Sequence, residues 1–164
     1  MNNQFHLRLG RLSDFDGLFD IYMEADTNKF LNFEIMSKEA FLPMFDELMR
    51  SGQLYVYECD HQIVATCIVM RQKRRASHVA SLGTLATHSQ WQRQGIGSKF
   101  MLALFEILKG DGIKRVDLCT EDDNVAAHDF YKKLGFKLEG VLKKYFKRPG
   151  EGRYIDEHLM ALIF

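Results

Sequence analysis

Apolar and polar positions alternate along Phe5-His6-Leu7-Arg8-Leu9, the pattern of a half-buried strand. The period then lengthens. Phe15, Leu18, Phe19 and Tyr22 fall on one helical face, with Ser13 or Asp14 placed to cap it, so a helix is predicted through about Glu24. Asp26 to Ile35 shows no period and reads as a mixed loop. Ser37 lacks the full capping box, because Ala40 stands three residues on, yet Phe41, Phe45 and Leu48 follow at helical spacing and Gly52 stops that helix. Leu54 to Cys59 and Ile63 to Met70 read as strands joined by a tight turn at Asp60-His61. A strand from His78 to Thr87 follows. Ile96, Phe100, Leu104 and Leu108 then recur every fourth residue, with Met101 and Phe105 beside them, until Gly110 and Gly112 end the helix. Arg115 to Thr120 is a further strand. Asn124 is a good N-cap and Gly135 a good C′ residue for the last helix. Phe136 to Phe146 and Tyr154 to Phe164 are two more strands, joined by the turn chemistry of Pro149-Gly150-Glu151-Gly152. The expected architecture is one domain over residues 1–164, a mixed α/β layer with seven strands and about four helices.

Composition narrows the function classes. A chain of 164 residues is long enough to bury a real core. Its 22 basic and 22 acidic residues cancel, which argues against a general nucleic-acid binder. The basic run Arg71-Gln72-Lys73-Arg74-Arg75 reads as a solvated hairpin end. The longest apolar runs, Phe100 to Phe105 and Leu159 to Phe164, are six residues each, too short to cross a bilayer. Met1-Asn2-Asn3-Gln4 begins no signal peptide, so a cytoplasmic protein is expected. Cys59, Cys67 and Cys119 have no metal or redox spacing and are expected as reduced core residues.

Candidate chemistry concentrates between Ser81 and Leu108. An extended segment leads into a turn containing Gly95 and Gly97, and an amphipathic helix follows. Glycine lets the backbone turn sharply and approach a ligand, and a helix start offers unpaired N–H groups with partial positive charge. Together they suit a pyrophosphate. Two familiar phosphate motifs fail. Gly97-Ser98-Lys99 is not the Gly-Lys-Ser/Thr of the Walker loop, and Phe100 stands where the dinucleotide fingerprint needs its third glycine.

Gln92-Arg93-Gln94-Gly95-Ile96-Gly97 instead resembles the Q/R-x-x-G-x-G/A signature of the GNAT family of N-acetyltransferases. A second stretch, Asn124-Val125-Ala126-Ala127-His128-Asp129-Phe130-Tyr131-Lys132-Lys133-Leu134-Gly135-Phe136, resembles that family's N-x-x-A-x-x-F/L-Y-x-K-x-G-F at Asn124, Ala127, Phe130, Tyr131, Lys133, Gly135 and Phe136. Ser77 to Ala80, Glu139-Gly140 and Lys143-Lys144-Tyr145 resemble bacterial amino-acid acetyltransferases, and Glu139-Gly140 also resembles the spermidine acetyltransferases. The resemblance implies a mostly antiparallel sheet splayed at its central strands, with acetyl-CoA as co-substrate. Backbone groups of Leu85 and Thr87 would pair with the pantetheine arm, and the Leu85 N–H would serve as oxyanion donor. Gln92, Arg93, Gln94, Gly95, Ile96, Gly97 and Ser98 would hold the pyrophosphate. Asn124, Ala127, Phe130, Tyr131 and Lys133 would line the cofactor, with Tyr131 as general acid.

The general base is a gap. Many relatives carry a carboxylate on the strand before the anion loop, where this chain has Ser81, Gly83 and Thr84. An ordered water, Glu34 or His78 can fill the role. The acceptor is expected to be a small-molecule primary amine, such as a free amino acid. Phe30, Phe33 and Phe41 suit an apolar side chain, and Phe33, Glu34 and His78 are the candidate substrate residues. The alternatives are a polyamine acetyltransferase, a protein N-terminal acetyltransferase and a non-catalytic acetyl-CoA sensor. No metal, nucleic-acid or membrane partner is expected, and a homodimer is compatible with the sequence.

Overall fold

The structure is a computed structural model that describes residues 4–31, 33–148 and 150–164. The start of the chain through Asn3 and the first residue of the expected turn, Pro149, lie outside the described residues. The strands are β1 (Phe5–Leu9), β2 (Leu54–Cys59), β3 (Gln62–Arg71), β4 (Val79–Thr87), β5 (Arg115–Glu121), β6 (Lys137–Lys147) and β7 (Tyr154–Ile163). They form one mixed sheet in the order β1-β2-β3-β4-β5-β7-β6. The β1–β2, β2–β3, β5–β7 and β6–β7 pairs are antiparallel, and β4–β5 is parallel. The helices are α1 (Phe15–Met23), α2 (Ala25–Asn28), α3 (Lys38–Ser51), α4 (Ile96–Gly110) and α5 (Val125–Lys133). Among the described residues, no helix is long and apolar enough to cross a membrane.

The expected element order holds, with one addition. The single turn α2 stands inside the segment read as a loop. Four residues are too few to show a period. Its order comes from Asn28, whose N–H donates to Glu24 O at 2.7 Å and whose side-chain amide donates to Tyr22 O at 2.8 Å.

The chain divides into two compact units, each stitched from two separate stretches. The first runs to Val69 and adds Thr84–Phe105. Its core is aromatic: Tyr22, Phe41 and Phe45 are buried, and Phe41 meets Phe15 and Phe19 at ring distances of 5.7 Å each. Ser37 caps α3 by accepting from the Ala40 N–H, and Gly52 ends it in the left-handed region. Arg8 binds Asp14 through two bonds of 2.8 Å and also pairs with Glu58, tying β1 to the start of α1 and to β2. Asp60 and His61 take φ +48° and +68°, the left-handed pair of the expected two-residue hairpin turn.

The second unit comprises Met70–Gly83 and Glu106–Phe164. Here β5 pairs along its whole length with β7, and β6 forms the outer edge. Val116, Leu118 and Met160 are buried on one face. The helix α5 covers that face: its His128 ring lies 4.5 Å from His158, and a Cβ on Gly135 would stand 3.3 Å from Leu162. The β4–β5 register runs Val79–Leu82 against Arg115–Leu118. Two residues on, Thr84 takes φ +50°, a bulge-like kink in mid-strand. The parallel register thus stops partway along β4, as expected for central strands that splay.

Candidate active site

The anion loop lies in the first unit. After β4, a turn at Ser89–Trp91 is held by the Gln90 N–H donating to His88 Nδ1 at 3.3 Å. Arg93 and Gly95 then take φ +58° and +76°. These two left-handed residues reverse the chain into α4, and the Gly95 carbonyl accepts the first helical bond from Lys99 at 3.0 Å. The amides of Ile96, Gly97 and Ser98 therefore occupy the first turn, where a helix has no acceptors of its own. A Cβ on Gly95 would meet nothing within 4 Å, so space opens in front of the loop. From His88 to Phe105 there is no Asp or Glu, while Arg93 and Lys99 supply positive charge. Open space, outward amides and an acid-free helix start fit a pyrophosphate.

Rigidity comes from α4, whose Ile96, Phe100, Met101, Leu104, Phe105 and Leu108 are all buried as their spacing predicts. Gln92 and Gln94 brace the loop from inside. Gln92 Nε2 donates to Thr87 O at 2.9 Å, and Gln94 Nε2 donates to Gln90 O at 2.7 Å. The Thr87 carbonyl thus already holds a loop side chain. In β4, Ala86 is buried in the aromatic core, so alternation turns Leu85 and Thr87 to the other face.

The second motif lies in the second unit, on α5. Asn124 Oδ1 accepts from the Ala127 N–H at 3.2 Å, which is the expected N-cap. Phe130 and Tyr131 are ring neighbours at 5.3 Å, and Tyr131 also meets Phe136 at 5.6 Å. Tyr131 is 9% exposed, its ring held between these two neighbours. Ala127 is half-buried and Lys133 exposed at the helix end.

The candidate substrate residues scatter. Phe33 stacks on Tyr22 at 5.3 Å against the first core, and Glu34 is exposed. His78 is exposed in the second unit, where its carbonyl accepts from Lys114 and Arg115. Phe41 is fully buried, so the reading of it as part of an acceptor surface is corrected: it is core. Phe30 is 37% exposed. Of the cysteines, Cys59 and Cys67 are buried as expected, but Cys119 is exposed. Strand alternation turns Cys119 away from the face that α5 covers. Sequence reading also missed its carboxylate neighbour Glu157, which comes from β7 and becomes adjacent only through the strand register.

Comparison with known proteins identifies the family. The sequence model of the Acetyltransferase (GNAT) family matches residues 15–136, and the chain belongs to that family. The family's enzymes are acyltransferases with acetyl-CoA as co-substrate. A 97-residue segment is 37% identical to the L-amino acid N-acetyltransferase AaaT of Escherichia coli (strain K12), and the match spans 58% of each chain. N-alpha-acetyltransferase 50 of Danio rerio is 28% identical over 124 residues, which is 71% of this chain and 72% of that one. Among solved structures, a GNAT-family acetyltransferase from Bacillus anthracis superimposes with TM-score 0.81 at 16% identity, covering 98% of this chain and 95% of the other. A ribosomal-protein-alanine N-acetyltransferase from Brucella melitensis gives TM-score 0.77 at 22% identity, covering 97% and 99%. At such identities the structural likeness shows the fold.

Proposed function

We propose that the protein transfers the acetyl group of acetyl-CoA directly to the primary amine of a small molecule, with a free amino acid as the preferred acceptor. The observation that carries this reading is the Arg93–Ser98 loop, two left-handed residues opening into the acid-free first turn of α4. It supports a pyrophosphate site for acetyl-CoA formed by Gln92 to Ser98. The assigned roles follow the family pattern. The backbone of Leu85 and Thr87 pairs with the pantetheine arm, and the Leu85 N–H stabilises the oxyanion. Asn124, Ala127, Phe130 and Lys133 support the cofactor from α5. Tyr131 protonates the leaving sulfur; a phenol titrates at about 10 and a thiol at about 8.5, so positioning rather than acidity drives that step. The amino-acid acceptor is favoured by the 37% identity to an amino-acid acetyltransferase.

A protein N-terminus is the second reading, favoured by the match to an N-alpha-acetyltransferase across 72% of its length. An acceptor panel separates them. Acetyl-CoA-dependent thiol release should be strongest with amino acids such as Phe or Met, and weak with spermidine and with short peptides. Peptide turnover above amino-acid turnover would replace the first reading with the second. Absence of thiol release with every amine would defeat both.

A further inference from the structure

We propose that Asp123 is a positioning residue for acetyl-CoA binding: its forked ion pair with Arg148 fixes Asn124, the cap of α5; this rests on the transferase reading above. Every contact involved lies within the second unit. Between the last residue of β5, Glu121, and the first of α5, Val125, the chain has three residues, Asp122, Asp123 and Asn124. Asp122 and Asp123 are exposed, so apolar burial does not hold this turn. Polar contacts do. The Asp122 N–H donates to the Asp156 carbonyl of β7 at 3.0 Å, and the Asn124 N–H closes the turn on the Glu121 carbonyl at 3.0 Å. Both are backbone bonds. The third contact uses side chains: Arg148 donates from Nη1 to Asp123 Oδ2 at 2.8 Å and from Nη2 to Oδ1 at 2.6 Å. Two parallel bonds between planar groups fix orientation as well as distance.

Arg148 is a firm anchor for that fork. It is buried, Glu121 pairs with it from the end of β5, and Glu151 meets it at 3.4 Å from the turn beyond β6. Glu121 therefore keeps the buried guanidinium neutralised with or without Asp123. The Asp123 side chain is 33% exposed, and Arg153 reaches its Oδ2 at 3.0 Å. A pair that open to water contributes at most about 1 kcal/mol to stability. What the fork supplies is geometry, one residue before the cap. Asn124 takes φ −84° and ψ +68°, the dihedrals at the centre of an inverse γ-turn rather than of a helix. Its Oδ1 accepts from the Ala127 N–H, which ties the side chain to α5. The fork ties the backbone immediately upstream, so Asn124 is held from both sides.

Charge makes the positioning role separable from a general one. Acetyl-CoA is an anion, and Asp123 is a carboxylate next to a residue assigned to hold it. By charge alone, removing Asp123 tightens binding, because one repulsive term disappears. By positioning, removing it weakens binding, because Asn124 loses its upstream tie. The two accounts predict opposite signs.

The test is a double-mutant cycle of Asp123→Ala and Asn124→Ala, read by calorimetric titration with acetyl-CoA beside melting curves. Asp123→Ala should melt close to wild type and bind acetyl-CoA about tenfold more weakly, a coupling of the size found between residues of one network. The double variant should bind no more weakly than Asn124→Ala alone, since Asp123 acts through Asn124. Asp123→Asn keeps the shape and one acceptor oxygen, and it carries the same cycle if the Ala variant melts early. Unchanged or tighter binding in the Asp123 variants, or losses that multiply in the double variant, overturns the assignment and leaves the transferase reading standing. An Asn124→Ala protein that binds acetyl-CoA as wild type does has the same consequence. A wild type that neither binds acetyl-CoA nor releases thiol with any amine overturns the transferase reading, and this assignment with it.

Discussion

At the scale of single residues, Tyr131 and Asn124 each combine a structural contact with a proposed chemical role. The Tyr131 ring is fixed by Phe130 and Phe136. Tyr131→Phe keeps that ring and removes one hydroxyl. Its melting temperature and acetyl-CoA affinity should stay near wild type, while kcat falls about 10²–10⁴-fold. Unchanged kcat in a stopped thiol-release assay would reduce Tyr131 to packing. Asn124 caps α5 through Oδ1, so Asn124→Ala should cost about 1 kcal/mol of stability. Asn124→Ser restores a cap oxygen but no amide donor. It should regain the stability in a denaturant titration without regaining acetyl-CoA affinity; recovery of both would confine Asn124 to capping. These two positions were legible in the sequence because both match the family's second motif, and helical spacing then puts them on one face. Cys119 and Glu157 were not. Their adjacency is a diagonal across two strands, and the chain records no register until β5 and β7 have paired.

Elements were legible in proportion to their periodic length. The buried face of α4 matches its fourfold spacing residue for residue, because fifteen residues repeat the pattern several times. The one-turn α2 left no such trace, and its position depends on the side-chain bond from Asn28 to Tyr22. The turn between β6 and β7 shows a similar dependence. Arg148, 4% exposed, gathers Glu121 at the end of β5 with Asp123 at the entry to α5. It thereby holds the start of the helix that carries Asn124 and Tyr131. Arg148→Met fills the volume but leaves Glu121, 5% exposed, without its cation. Loss of one partner from a buried pair costs about 3–5 kcal/mol, so urea denaturation should show a loss of that size. A change below about 1 kcal/mol would mean that water already screens the cluster.

At the scale of the whole molecule, neither compact unit is a continuous piece of chain. The strand β4 and the helix α4 each run from one unit into the other. The reading of residues 1–164 as one domain predicts a single unfolding transition by far-UV circular dichroism and by the fluorescence of Trp91, the lone tryptophan. Two separated transitions would divide the chain into independent folding units. The central claim is that acetyl-CoA is held by the glycine loop at the start of α4. Gly97→Glu tests it without endangering the fold, since an acidic side chain in the first turn of a helix is favourable to the helix itself. Calorimetric titration with acetyl-CoA should give one site in the wild type and no measurable binding in a Gly97→Glu protein that melts normally. Equal affinity in the two proteins would contradict the account.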